Sequence, residues 1–260
     1  MPVPRGWPGA TSGIADPGFR RRTIAPDRPP SPTCQTCAVR ALIFDLDGTL
    51  VDTVYPHVLA LQRALAEVGV DVPAWLVHRR IGMSGGLSAR ALAREIGRSL
   101  TPEESAHMQR RHGEIYREIL PEPRPLPGAL DLIRWLRDNG ILFGIATSGR
   151  RPDIDLPLSV LDLPPDLVVL SRADVLRAKP EPDLFLACQE RMGVRREDVC
   201  VVGDAVWDLL AARRAGMLSV GLLCGGYGAD ELVRAGAFRV YRDPAELLES
   251  IDELGIQIPG

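Results

Sequence analysis

From Val39 onward, short apolar runs alternate with amphipathic stretches. The run that closes on Phe44 stops at a turn signal, and so do Ile141–Ala146, Leu167–Leu170, Val199–Val202 and Leu218–Leu222. Four to eight apolar residues bounded in this way predict buried strands. Between them, 129–139, 182–192 and 205–215 carry the wider spacing of helices. Such alternation predicts an α/β fold, a doubly wound parallel sheet with helices on both faces.

The first strand breaks the alternation. After it comes a long helical block, with Val58, Leu59, Leu61, Leu65 and Val68 at helical spacing over 56–68. Pro73 opens a second helix, 86–96 reads as a third, and Thr101-Pro-Glu-Glu104 is the capping box of a fourth. Pro121-Glu-Pro-Arg-Pro-Leu-Pro-Gly128 reads as a stiff linker back. The expected organisation is a core made of 39–54 and 126–260, with a helical cap, 55–125, inserted as a lid over the carboxyl edge of the sheet. Residues 1–38 are rich in Pro, Gly and Arg and lack apolar periodicity, so they are expected to be a disordered tail. They hold no secretory apolar segment, and their acids and prolines argue against a transit peptide. Cys34 and Cys37 have no second pair at zinc-site spacing. The tail reads as an artefact of start-site choice; loss of activity or solubility on deleting 1–38 would overturn that.

Composition narrows the function. At 260 residues and 45% hydrophobic, the chain can bury a sizeable core. A net charge of -3 does not suggest a nucleic-acid or membrane-surface binder, and no apolar run approaches the ~20 residues of a membrane span. The five scattered cysteines do not form a disulfide framework, so the cytoplasm is the expected location. Among 31 basic residues only Lys179 is lysine, which singles it out for a compact point charge rather than a planar fork.

The candidate chemistry lies at strand ends. Asp45 and Asp47 follow the first strand, where open α/β sheets bind ligands, and Gly48 allows a sharp turn. Two close carboxylates hold a metal or share a proton. Thr147-Ser148-Gly149 ends another strand and suits a cradle for phosphate oxygens. Asp204 and Asp208 lie four apart at what reads as a helix start. Taken singly, each has a bland reading, as a turn, a helix cap or a surface lysine. Together with Lys179 they bring oxygen ligands and one cation to a single edge.

In this set the chain resembles the haloacid dehalogenase superfamily of phosphohydrolases, in the branch with a helical cap after the first strand. Asp45-Leu-Asp-Gly-Thr49 matches its first motif, Thr147 the second, Lys179 the third and Gly203-Asp204…Asp208 the fourth. The resemblance implies Mg²⁺ held by Asp45, the Asp47 carbonyl, Asp204 and Asp208. It implies Asp45 as nucleophile, Asp47 as general acid and base, and phosphate binding by Thr147, Ser148, Gly149 and Lys179. Ala205 stands where many relatives carry Ser or Thr.

Within the resemblance, Asp47 favours phosphate chemistry over dehalogenation. A cap without lysine disfavours the Schiff-base chemistry of phosphonoacetaldehyde hydrolases. A sugar-phosphate mutase similar to β-phosphoglucomutase and a catalytically idle binding module stay open beside the phosphatase. His57, Arg79, Ser84, Gly85 and Gly86 are the candidate specificity residues of the cap, Gly85 and Gly86 as a tight loop approaching the site. The expected partner is a small phosphorylated metabolite, and the chain is expected to be a monomer or homodimer.

Overall fold

The structure is a computed structural model that describes residues 39–120 and 122–258. The expected tail, with its Cys34–Cys37 pair, lies outside the described residues. The chain runs through β1 (Ala41–Phe44), α1 (Val54–Glu67), α2 (Ala74–His78), α3 (Gly85–Glu95), α4 (Pro102–Ile119), α5 (Ala129–Asp138) and β2 (Leu142–Ala146). It continues through α6 (Asp155–Ser159), β3 (Val168–Leu170), α7 (Asp183–Met192), β4 (Val199–Gly203) and α8 (Val206–Ala215). It closes with β5 (Leu218–Leu222), α9 (Ala229–Ala235), β6 (Arg239–Tyr241) and α10 (Pro244–Glu249).

Among the described residues, six strands form one parallel sheet in the order β3-β2-β1-β4-β5-β6. Period-two alternation sends Leu42 and Phe44 of β1 to one face, against Leu132, Ile133 and Leu136 of α5 and Leu247 of α10. Ala41 and Ile43 go to the other, against Phe185 and Cys188 of α7 and Ala211 and Ala215 of α8. Both faces are covered, so β1 is apolar along its whole length. The strand order reverses between β1 and β4, which places a crevice outside their carboxyl ends.

Helices α1 to α4 have an apolar core of their own, with Leu61 and Leu65 of α1, Leu92 of α3, and Met108, Ile115 and Tyr116 of α4 all buried. Helix α1 starts at Val54, two residues before the predicted Pro56, because the proline falls in the first turn, where no intrahelical N–H is needed. Thr101 and Glu104 form the predicted capping box. Gly85 and Gly86 open α3 instead of forming a loop. The two chain segments that join the helical block to the sheet run side by side. Asp52 N donates to Arg124 O at 2.9 Å and Leu126 N to Leu50 O at 2.9 Å.

Candidate active site

Asp45 leaves β1 with its amide donating to Val202 O of β4 at 2.9 Å, which holds its buried carboxylate in the crevice. Gly48, at φ +83°, turns the chain back. A Cβ there would lie 2.4 Å from Val54 Cγ2 and 2.6 Å from Asp204 Oδ2, so glycine is required on both counts. Thr49 Oγ1 donates to Asp204 Oδ1 at 2.8 Å. Asp204 lies in the connection from β4 to α8, before the helix, where the sequence pattern placed it on the helix start. Asp208 is in the first turn of α8, and its Oδ2 accepts from Ala205 N at 3.1 Å.

Lys179 is fully buried, with Nζ 2.7 Å from Asp45 Oδ1, 2.8 Å from Asp208 Oδ1 and 5.0 Å from the centre of the Phe185 ring. Lys179 is the one polar partner of Asp208 Oδ1 among the described residues. One ammonium thus pairs with two buried carboxylates, and Asp204 beside them has no cation among the described residues. Burial raises Asp45 to about 7, with Asp208 and Asp47 reinforcing the shift and Lys179 opposing it. Burial, then Asp208 and Asp45, holds Asp204 well above the carboxylate range against its bond from Thr49. Burial opposes the charge on Lys179, but Asp208 and Asp45 prevail, so its proton is held more tightly than usual. Oxygens of Asp45, Asp204 and Asp208 all lie within 4.8 Å of one another. An excess of buried carboxylate oxygen at that spacing fits a hard divalent cation.

Asp47 sits in different surroundings. Its Oδ1 accepts from Thr53 Oγ1 at 2.6 Å and lies 3.4 Å from His57 Nε2, while Oδ2 accepts from Thr147 Oγ1 at 3.3 Å. Burial pushes its pKa up, but His57, Thr53 and Thr147 together bring it below the ordinary value. Without a bound ion, the two neighbouring carboxyls are thus pushed in opposite directions.

His57 stacks on Tyr116 at 3.9 Å and 2°, and its Nδ1 lies 3.2 Å from His112 Nε2. Burial and His57 lower His112 to about 3, which keeps it neutral. Sequence reasoning gave no site role to His112 or Thr53, and took Thr49 only as part of the Asp45-Leu-Asp-Gly-Thr49 motif. His112 and Tyr116 are one helical turn apart, which sets them on one face of α4. That spacing was the available signal.

The remaining candidates fall in several places. Thr147 Oγ1 accepts from Gly149 N at 2.9 Å, so that amide is engaged within the turn. Ser148 Oγ donates to Gly82 O at 2.9 Å, tying the sheet edge to the helical block. His57, Gly85, Ser148 and Gly149 line an inner chamber of about 70 Å³ that reaches Asp45 and Asp47. Together with Ser84 and Gly86 they also line an outer chamber of about 210 Å³. Arg79 lines neither chamber. Its guanidinium lies 4.2 Å from the centre of the Tyr227 ring and pairs with Glu231. Its carbonyl accepts from Trp207 Nε1 at 3.3 Å and Tyr227 Oη at 3.1 Å. Arg79 latches the helical block to the core instead of facing substrate, because α9 supplies an acid that the sequence pattern did not place nearby.

The chain matches the family model described as haloacid dehalogenase-like hydrolase over residues 39–216. It is 32% identical over 231 residues to a phosphoglycolate phosphatase of Rhodospirillum rubrum, covering 85% of this chain and 93% of the relative. It is 29% identical to a β-phosphoglucomutase of Bacillus subtilis, covering 75% and 89%. Its fold superposes on a solved hydrolase from Pseudomonas syringae with a TM-score of 0.79 and 42% identity, covering 82% and 98%.

Proposed function

The chain belongs to the haloacid dehalogenase-like hydrolases, and on that premise we propose that it is a Mg²⁺-dependent phosphatase acting on a small phosphorylated metabolite through an aspartyl-phosphate. The observation that carries this reading is the buried cluster of Asp45, Asp204 and Asp208, with Lys179 paired to Asp45 and Asp208, beside the separately held Asp47.

Asp45, the main-chain carbonyl of Asp47, Asp204 and Asp208 would hold the ion. Bound there, it supplies positive charge that lets an anionic carboxylate approach an anionic phosphate. Asp45, its ionised form favoured by that positive charge, attacks phosphorus as the bond to the leaving oxygen breaks. The anionic phosphate ester beside Asp47 would favour its protonated form, from which it gives that oxygen a proton. In the second step Asp47 takes a proton from the water that attacks phosphorus, and Asp45 and inorganic phosphate are released. Lys179 offsets charge on the transferring group, while Thr147 bonds Asp47 and orients it. The helical block forms the lid, and its contacts across the crevice exclude water during transfer.

Phosphate release from a panel of phosphorylated metabolites, with Mg²⁺ and with EDTA, tests this. Metal-dependent release that Asp45→Asn abolishes is the expected result, and retained activity in that variant would remove Asp45 as nucleophile. The B. subtilis relative favours a second reading, a sugar-phosphate mutase. Conversion of β-glucose 1-phosphate to glucose 6-phosphate, faster than phosphate release, would support it.

A further inference from the structure

The outer chamber contains Arg90 of α3, Arg150 after β2, and Arg172 after β3. Elsewhere among the described residues the majority of arginines, Arg98, Arg117, Arg137, Arg177 and Arg214 among them, meet a carboxylate. Among the described residues Arg90 and Arg150 form no ion pair. Arg172 donates only to the neutral carbonyls of Val175 at 2.6 Å and Leu176 at 3.2 Å, and its amide is anchored to Gly149 O at 2.9 Å. Burial and the nearby charge of Arg150 weaken the hold of Arg172 on its proton, so like charges face one another there.

Nearby acids relieve this only in part, through Asp183. Asp153 lines the same chamber but pairs with Arg117, and Asp183 pairs with Arg177. Helix α3 adds its positive end, since Ser84 makes no capping bond and the first turn carries no acid. Gly86 keeps that end bare: a Cβ would come 3.3 Å from Gln109 Nε2 and 3.8 Å from Arg90 Nη1. His57, Gly85, His112, Ser148 and Gly149 line both chambers, so the arginines stand on the leaving-group side of Asp45 and Asp47.

We propose that Arg90, Arg150 and Arg172 bind a second anionic group on the leaving alcohol, so that the favoured substrates are phosphate monoesters carrying a carboxylate or a second phosphate. This rests on the phosphatase reading above and names its substrate class. A planar guanidinium matches either group through paired hydrogen bonds. A neutral sugar monophosphate offers these guanidinium groups no second anionic partner.

The test is kcat/KM for pairs matched except for that charge: 2-phosphoglycolate against ethyl phosphate, and glucose 1,6-bisphosphate against glucose 1-phosphate. The anionic member should win by roughly 10-fold or more in at least one pair, and in the double variant R90Q/R150Q the ratio should collapse toward one. Preference in the first pair alone assigns a carboxylate, and in the second pair alone a phosphate. Equal values within both pairs, with hydrolysis that Asp45→Asn abolishes, overturn the proposal and leave the phosphatase standing. If none of the four turns over, calorimetric binding to Asp45→Asn decides. Tighter binding of the anionic member, lost on adding R90Q/R150Q, upholds the proposal, whereas equal or absent binding overturns it.

Discussion

Asp45 and Asp47 are two residues apart, yet burial raises one carboxyl while three polar neighbours lower the other. Their positions were legible in the sequence because a strand end dictates where they point. The division between them was not, since Thr53, Thr147 and His57 come from three different segments. His112 extends the division: it positions His57, which in turn contacts Asp47. In His112→Phe, kcat should fall roughly 10- to 100-fold, as for other groups that orient a functional side chain through a second residue. KM should change little and His112→Gln should recover part of the loss. A change in Tm with unaltered kcat would mean that His112 only packs. Lys179 stood out as the sole lysine, and the structure places it between Asp45 and Asp208. Arg79 had no such signal for its actual place, because Glu231 lies 152 residues further along the chain.

At the scale of elements, local rules account for the parts that depend on neighbours in sequence. The capping box of α4 needs only Thr101 and Glu104, whose reciprocal bonds are 3.1 and 2.9 Å long. Thr101→Ala should cost about 1 kcal/mol in denaturant unfolding, and no loss would show that the cap is dispensable. Helix α1 was readable from its stripe, and Leu65 is buried in the core of the helical block. Leu65→Ala should cost about 2–5 kcal/mol, measured by loss of the near-UV signal of Tyr116 and its neighbours. Elements α6, α9, β6 and α10 were not foreseen. They span three to seven residues, and β6 exists because β5 offers an edge: Gly221 pairs with Val240 and Leu222 with Tyr241. Short segments of this kind carry too few positions for a period to emerge.

At the scale of the molecule, the site stores carboxylate charge that folding buries. A carboxyl whose pKa is raised in the fold contributes stability below its unfolded value and loses it as pH rises through the folded value. For Asp45 that window runs from 3.8 to about 7, and Asp204 acts in the same sense. Asp47, shifted down, acts oppositely and only near and below 3.8. Without a divalent ion the protein should therefore lose stability between pH 5 and pH 8. The rise in Tm on adding Mg²⁺ should be larger at pH 8 than at pH 5, and equal rises would deny that these acids bind the ion. The same molecule closes around the site through contacts at opposite ends of one loop. His78 Nε2 lies 2.8 Å from Gly225 O, and Ser148 Oγ meets Gly82 O.

The sequence by itself determined the parallel sheet, the interruption after β1 and the acids and lysine at the strand ends. Each follows from periodicity, turn chemistry or residue type within a few positions. Tertiary structure alone decided which arginines are neutralised and which stay free. It also decided that Arg79 serves as a latch, that His112 backs His57, and that one carboxyl rises while its neighbour falls. Those outcomes depend on distances between segments far apart in the chain. Coulombic and desolvation energies respond to those distances and to burial, which no local pattern encodes.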